Sequence, residues 1–405
     1  MPRLSDRITG LNGSGSDGWE LFYRARALRA AGQEVIELTI GEHDERTDPA
    51  ILEAMHKAAT GGHTGYAAVP GIAALRAAVA ERVAARTGVP TTAANVLITP
   101  GGQAGLFTAH MAALQPGDTA LYIDPYYATY PGVIRAASGL PHAIRTEAAQ
   151  AFLPTGPRIA QAARETAARS LLINTPNNPT GTVYPPDTLS DIARACADHD
   201  LWLISDEVYD TQIWQGAHVS PRALPGMAER TFVVGSMSKS HAMTGSRIGW
   251  IVAPAETIDP MIDLATSITY GVPGFIQDAA LFALAQGPDL ETRVSAPFRR
   301  RRDLALRILA GQQTVRAIPA QGAMYLMLDI RATGLSGQAF ADALLDRHAI
   351  AVMPGESFGM AAAGHLRVAL TVADDILAQA LQTLCRLASD LAAQRADDPA
   401  LRTPR

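Results

Sequence analysis

Some chemistry needs an amine that arginine cannot supply, and this chain has nearly abandoned lysine. Of its 34 basic residues only Lys57 and Lys239 are lysine, leaving 32 arginines. A lysine kept where arginine would carry the same charge points to a nucleophile or base. Lys239 stands in Ser236-Met237-Ser238-Lys239, directly after an apolar run, and Arg247 follows eight residues later in Gly245-Ser246-Arg247-Ile248-Gly249. Loops at the carboxyl edge of a sheet converge on a crevice, so a strand end is where such a side chain can work. A surface turn with a solvated lysine is the plain alternative.

Three further strings carry chemistry. Asp206, in Ile204-Ser205-Asp206-Glu207-Val208-Tyr209, ends an apolar run, where a carboxylate is costly without a positive partner such as a protonated pyridine nitrogen. Taken alone, Asp-x-x-Tyr is better read as Asp206 capping the following turn. The string Asn174-Thr175-Pro176-Asn177-Asn178-Pro179-Thr180-Gly181 places amide side chains on a stiffened backbone, suited to a ligand oxygen or simply to turning the chain. In Thr99-Pro100-Gly101-Gly102-Gln103-Ala104 the glycines let an anion approach a helix N-terminus, where unpaired N–H groups favour phosphate. Asp124-Pro125-Tyr126-Tyr127-Ala128-Thr129-Tyr130 supplies aromatics that could cover a flat ring or fill a core.

These residues need a sheet behind them. Apolar and β-branched runs at 96–99, 119–123, 171–173, 202–205, 231–235 and 248–252 alternate with helical patterns at 72–86, 104–114, 189–198 and 275–285, which reads as an α/β domain with a mostly parallel sheet. After about residue 290 come a long helix, strands near 315–317, 325–329, 351–352 and 365–369, and a final helix, a smaller α+β domain. The organisation expected is an N-terminal arm over 1–48 that contributes a strand at 35–40, a large domain over 49–289 and a small domain over 290–405, fraying at 397–405. At 405 residues, 48% hydrophobic and 18% charged, two globular domains are expected. A net charge of -5 argues against nucleic acid, and the Arg299–Arg302 run reads as a solvated helix face. No apolar run suits a signal peptide or a membrane span, so a cytoplasmic enzyme is expected. Cys196 and Cys385 sit in apolar helical patterns without metal-ligand spacing, so no metal is expected.

Taken in order, from about residue 35 to residue 367, the strings resemble the class I/II aminotransferases of fold type I, the aspartate aminotransferase superfamily. Leu38-Thr39-Ile40-Gly41-Glu42, Tyr66 ahead of Pro70-Gly71-Ile72, and Gly322-Ala323-Met324-Tyr325 belong to the same likeness. The resemblance implies a seven-stranded-type sheet and pyridoxal 5'-phosphate held as a Schiff base on Lys239. It implies a phosphate cup of Arg247, Ser236 and the N–H groups of Gly102 and Gln103, with Asp206 on the pyridine nitrogen. Tyr209 and Asn178 would meet the phenolic oxygen, and Tyr127, rather than Tyr126, would stack on the ring. Arg367, helped by Gly41 and Asn178, would clamp the substrate carboxylate. Tyr66 would reach the cofactor phosphate of a neighbouring subunit, making the protein a homodimer with shared sites. The implied reaction is ping-pong transfer of an amino group from an L-amino acid to a 2-oxo acid.

The chain also departs from its relatives. His43 stands where many read proline, at the substrate entrance or in a solvated loop. Gln103 replaces a lysine found in some dicarboxylate-specific relatives, so neutral or aromatic amino acids are expected to serve at least as well as aspartate, with His43, Gln103 and Tyr270 as discriminating candidates. The cofactor motifs do not choose the fate of the Cα carbanion, which leaves a β-eliminating lyase as the rival reading. An aminotransferase-like effector sensor is more remote, because the residues ahead of the first motif are too few for a DNA-binding domain.

Overall fold

The computed structural model describes residues 2–13 and 19–397, so the expected frayed tail lies, from residue 398, outside the described residues. In chain order the strands are β1 (Ile36–Leu38), β2 (Val96–Thr99), β3 (Thr119–Asp124), β4 (Leu140–Arg145), β5 (Ser170–Asn174), β6 (Trp202–Asp206), β7 (Thr231–Ser236), β8 (Gly249–Val252), β9 (Arg316–Ala317), β10 (Tyr325–Asp329), β11 (Ile350–Pro354) and β12 (His365–Ala369). A seven-stranded sheet has the order β2-β8-β7-β6-β5-β3-β4, and a five-stranded one the order β1-β11-β12-β10-β9. In the larger sheet β8 runs antiparallel to both neighbours and the remaining strands run parallel.

β2, β5 and β7 are buried along their whole length, as strands covered by helices on both faces must be, which explains their unbroken apolar runs. Phe232 on β7 is fully buried and stacks on Trp202 of β6 at 4.6 Å between ring centroids. β4 escaped the sequence reading. It is an edge strand, Leu-Pro-His-Ala-Ile-Arg, half-exposed and interrupted by Pro141, which only an edge tolerates. The glycine-rich helix runs over Gly101–Ala113, three residues ahead of the reading, so both glycines lie in its first turn.

β1 pairs in parallel with β11, which carries the N-terminal segment onto the five-stranded sheet. The helix Pro288–Leu309 corrects the reading of the arginine run. Arg299 and Arg300 are exposed, but Arg301 and Arg302 are buried. Arg301 grips Asp44 through both Nη atoms, at 2.8 and 2.6 Å, and donates from Nε to Asp374 at 3.2 Å. Arg302 donates to the Ala320 carbonyl at 3.1 Å and pairs with Asp303. These guanidiniums tie the long helix to the arm and to the C-terminal helix Asp374–Asp397. Both cysteines are free, buried thiols. Among the described residues no helix is long and apolar enough to cross a membrane, and no cluster of potential ligands could hold a metal ion.

Candidate active site

Five strand ends bring the chemistry-bearing residues together. β2 runs into Gly101–Gly102, β3 ends at Asp124, β5 at Asn174, β6 at Asp206 and β7 at Ser236. These strands are parallel, so their carboxyl ends lie on one edge, and a cavity of about 270 Å³ opens there. Lys239, Asp206, Tyr209, Tyr127, Asn178, Ser236 and Arg247 line it, as do Gly102, Gln103, Gly41 and Arg367.

Ser236 caps the single turn Met237–Ser240, its Oγ accepting from the Ser238 N–H at 3.1 Å, and this turn presents Lys239 to the cavity. The amine donates to the Gly41 carbonyl. Burial lowers the Lys239 pKa from 10.5 to about 8; Glu42 opposes the shift, and Arg367 and Arg247 add to it. Lys57, by contrast, is solvated and pairs with Glu53 at 3.5 Å. Asp206 is buried and raised to about 6, chiefly by burial. Its Oδ2 accepts from the Tyr130 hydroxyl at 2.7 Å and its Oδ1 from the Val208 N–H at 3.3 Å. The turn-capping reading of Asp206 is therefore realised alongside its place in the cavity. No lysine, arginine or histidine among the described residues forms an ion pair with it.

Arg367, on β12, is 1% exposed. It donates from Nη1 to Asn178 Oδ1 at 2.9 Å and from Nη2 to the Thr39 carbonyl. Its guanidinium lies between the Tyr325 ring at 4.5 Å and the Phe358 ring at 4.4 Å. Nε has no partner, and burial lowers the pKa of the group. Gly41 has no room for a side chain, since a Cβ would fall 1.7 Å from the Tyr325 hydroxyl. Arg247 lies against Gly101, whose φ of +80° and open Cα face admit the guanidinium; a Cβ there would sit 2.5 Å from Nη2. Asn177 is a turn former, accepting from the Thr180 hydroxyl at 2.8 Å. Burial raises the Tyr127 hydroxyl to about 12, while Tyr126 faces a neighbouring cavity.

Three lining residues were not singled out among the site residues by the sequence. Tyr130 holds Asp206, Tyr325 joins its hydroxyl to that of Tyr209 at 3.0 Å, and Asn174 accepts the Asn178 N–H at 2.7 Å. All three stood in strings that the sequence marked, but nothing in those strings showed the partner each hydroxyl or amide would meet. Three expected residues stay outside. Tyr66 is 91% exposed and packs edge-on against Tyr270 at 5.0 Å, both away from this chain's own cavity. His43 does not face the entrance: its ring packs edge-on against Phe298 at 5.0 Å, and burial, reinforced by Lys239, lowers it to about 3.

Comparison with known proteins agrees with this geometry. Residues 33–384 match the family model described as aminotransferase class I and II. The chain is 41% identical to the arginine–pyruvate transaminase of Pseudomonas aeruginosa, over 97% of this chain and 100% of that one. It is 34% identical to the aspartate/prephenate aminotransferase of Thermus thermophilus, over 96% and 99%. The structure of the Thermus thermophilus aspartate aminotransferase with maleate superposes with a TM-score of 0.89 at 33% identity, covering 96% of this chain and 100% of that one.

Proposed function

The chain belongs to the class I and II aminotransferases, and from that membership we propose that it works with pyridoxal 5'-phosphate bound in the strand-end cavity and joined to Lys239. The observation that carries this reading is a pair of enclosed cations, Lys239 and Arg367, facing one cavity with the buried carboxylate Asp206 on its wall. Buried charges need partners, and a phosphorylated cationic ring together with a substrate carboxylate would satisfy all three.

The residues fit that group. Arg247, the Ser236 hydroxyl and the first-turn N–H groups at Gly102 and Gln103 suit a phosphate, and the bare Cα of Gly101 leaves Arg247 its place. Tyr127 suits the face of a flat ring, and Tyr209 with Asn178 suits its phenolic oxygen. When bound, the group supplies an electron-poor ring that accepts the electron pair left at the amino acid's Cα. Asp206 holds a proton on the ring nitrogen, since its uncompensated buried charge favours a cationic partner. Lys239, lowered to about 8, is readily neutral and moves the Cα proton as a base. Arg367 grips the substrate's α-carboxylate with a planar fork already fixed by Asn178 and the Thr39 carbonyl. Borohydride reduction of the holoenzyme followed by peptide mapping tests the reading: the pyridoxyl group is expected on Lys239, and its appearance on Lys57 or on neither lysine would overturn it.

The amino donor is proposed to carry a neutral, aromatic or cationic side chain. Among the described residues the arginines lining the cavity are Arg247 and Arg367, Gln103 is neutral, and the Glu42 carboxylate stands on the wall. A second substrate carboxylate thus finds no further fixed cation among the described residues of the cavity wall. The transaminase of Pseudomonas named for arginine supports that choice, and the relatives named for aspartate do not. Because the matched proteins are named aminotransferases, amino transfer is favoured over β-elimination and over non-catalytic sensing. A homodimer in which Tyr66 completes the partner's phosphate site is also proposed, supported by the exposure of that tyrosine.

A further inference from the structure

Arg367 is held between two aromatic plates, and the plates differ in how they are fixed. Tyr325 sits on β10, hydrogen-bonded to β12 along its length. Phe358 is on the irregular segment between β11 and β12, in the short turn Gly355–Phe358. The contacts on the Phe358 side of that segment come from the other sheet. Asp124, the last residue of β3, accepts the Ala361 N–H on both carboxylate oxygens at 3.2 Å, and the Tyr126 N–H donates to the Phe358 carbonyl at 2.9 Å. Gly359, at φ +112°, gives the carboxylate its place: a Cβ there would lie 2.1 Å from Oδ1. Asp124 is itself anchored, its carbonyl accepting from the Thr146 hydroxyl at 2.6 Å.

We propose that Asp124 is a positioning residue for substrate binding, a latch that holds the 355–362 segment to the strand-end edge and so keeps Phe358 against Arg367. The inference rests on the reading of Arg367 as the carboxylate clamp. Phe358 is fully buried with its ring 4.4 Å from the guanidinium, so releasing the segment removes one wall from a cation that must stay aligned. A carboxylate accepting on both oxygens is a stronger latch than its protonated form, which keeps one acceptor and loses the charge.

The latch is therefore sensitive to pH. Burial raises Asp124 to about 6, against the lowering effect of the Ala361 N–H, Arg145 and the Met360 N–H. Around it stand Arg145 on β4, Tyr122 on β3 and Tyr126 after it, with Arg135 acting on both tyrosines. Both tyrosines are raised and stay neutral in this range. Glu356, in the same segment, is occupied by the N–H groups of Gly337 and Gly364. Above about pH 6 the carboxylate is ionised and the latch closed; below it the latch weakens.

The test is the inhibition constant of 3-phenylpropionate, a monocarboxylate without an amine, on holoenzyme carrying Asp124→Asn, with wild type and Arg367→Lys alongside. At about pH 8 Asp124→Asn is expected to raise the constant about tenfold and to change kcat less than about twofold. The ratio of variant to wild type should fall to near one at about pH 5, because wild-type Asp124 is then itself protonated; every other titration is common to both proteins and cancels. A ratio near one at pH 8, a ratio independent of pH, or a loss confined to kcat overturns the latch. If Arg367→Lys does not weaken binding, the clamp reading fails and takes the latch with it; if only Arg367→Lys weakens binding, the latch alone fails. Hydrogen exchange of residues 355–364 in wild-type holoenzyme needs no variant. Corrected for intrinsic rates, protection of the Ala361 amide should drop as pH falls through about 6, and unchanged protection overturns the proposal.

Discussion

The depressed pKa of Lys239 makes a quantitative demand on how the apoprotein captures its cofactor. Only a neutral amine attacks an aldehyde, and the shift from 10.5 to about 8 raises the neutral fraction near pH 7 by roughly 300-fold over an ordinary lysine. The cause is burial, with Arg367 and Arg247 adding to it, so the effect belongs to the folded cavity. Stopped-flow absorbance after mixing apoprotein with pyridoxal 5'-phosphate should show a second-order rate that rises about tenfold per pH unit and levels above about pH 8. The same shift affects stability with a defined sign. The unfolded chain binds the proton up to about 10.5 and the folded one only to about 8, so stability rises with pH across that window. The increment is at most roughly 3 kcal/mol and should be missing from the difference curve of Lys239→Ala. A capture rate still climbing through pH 10 would refute the argument, because the amine would then be titrating as though in water.

Other expectations follow from single contacts. Asp206→Asn should keep the fold but lower single-turnover rates by about three orders of magnitude, ~4 kcal/mol, and a near wild-type rate would remove Asp206 from its role. Tyr130→Phe removes a donor that favours the Asp206 anion, so the acid limb of the rate profile should move to higher pH with a loss of roughly tenfold to a hundredfold; an unmoved limb would separate Tyr130 from Asp206. In mixtures of Tyr66→Phe with Lys239→Ala subunits, cofactor affinity at the intact lysine should depend on which subunit supplies the tyrosine, and indifference would rule out a shared site. Arg301→Ala leaves the partly exposed Asp44 to water while Asp374 keeps Arg300, and the lost buried guanidinium contacts should cost roughly 1–3 kcal/mol in denaturant unfolding. If aspartate or glutamate exceeds every neutral or cationic donor in kcat/KM by about a hundredfold, ~2.7 kcal/mol, the proposed donor class is wrong.

Much of the site was legible because its residues sit where a strand stops. Lys239, Asp206, Asn178 and Gly102 each follow an apolar run within a few residues, and parallel strands necessarily bring such ends to one edge. Lysine scarcity marked Lys239 independently of any pattern. The alternation of apolar runs with helical periods likewise specified an α/β sheet, since strands buried on both faces must be apolar throughout. An edge strand obeys no such rule, and β4 with its proline left no readable pattern.

What only the tertiary structure decided are pairings between residues remote in the chain. Tyr130 meets Asp206 across 76 positions, Tyr325 meets Tyr209 across 116, and Asp124 meets Ala361 across 237. A tyrosine hydroxyl or an aspartate looks the same in sequence whether its partner is water or a buried carboxylate. Arg301 reads like Arg300 beside it, yet one turns inward to two carboxylates and the other outward, a choice made by which helix face meets the arm. His43 likewise depended on whether Phe298 lay beneath it. Local spacing determines backbone geometry and hence where a side chain starts; the groups it meets at its far end, and with them its pKa, are set by chain segments that only folding brings near.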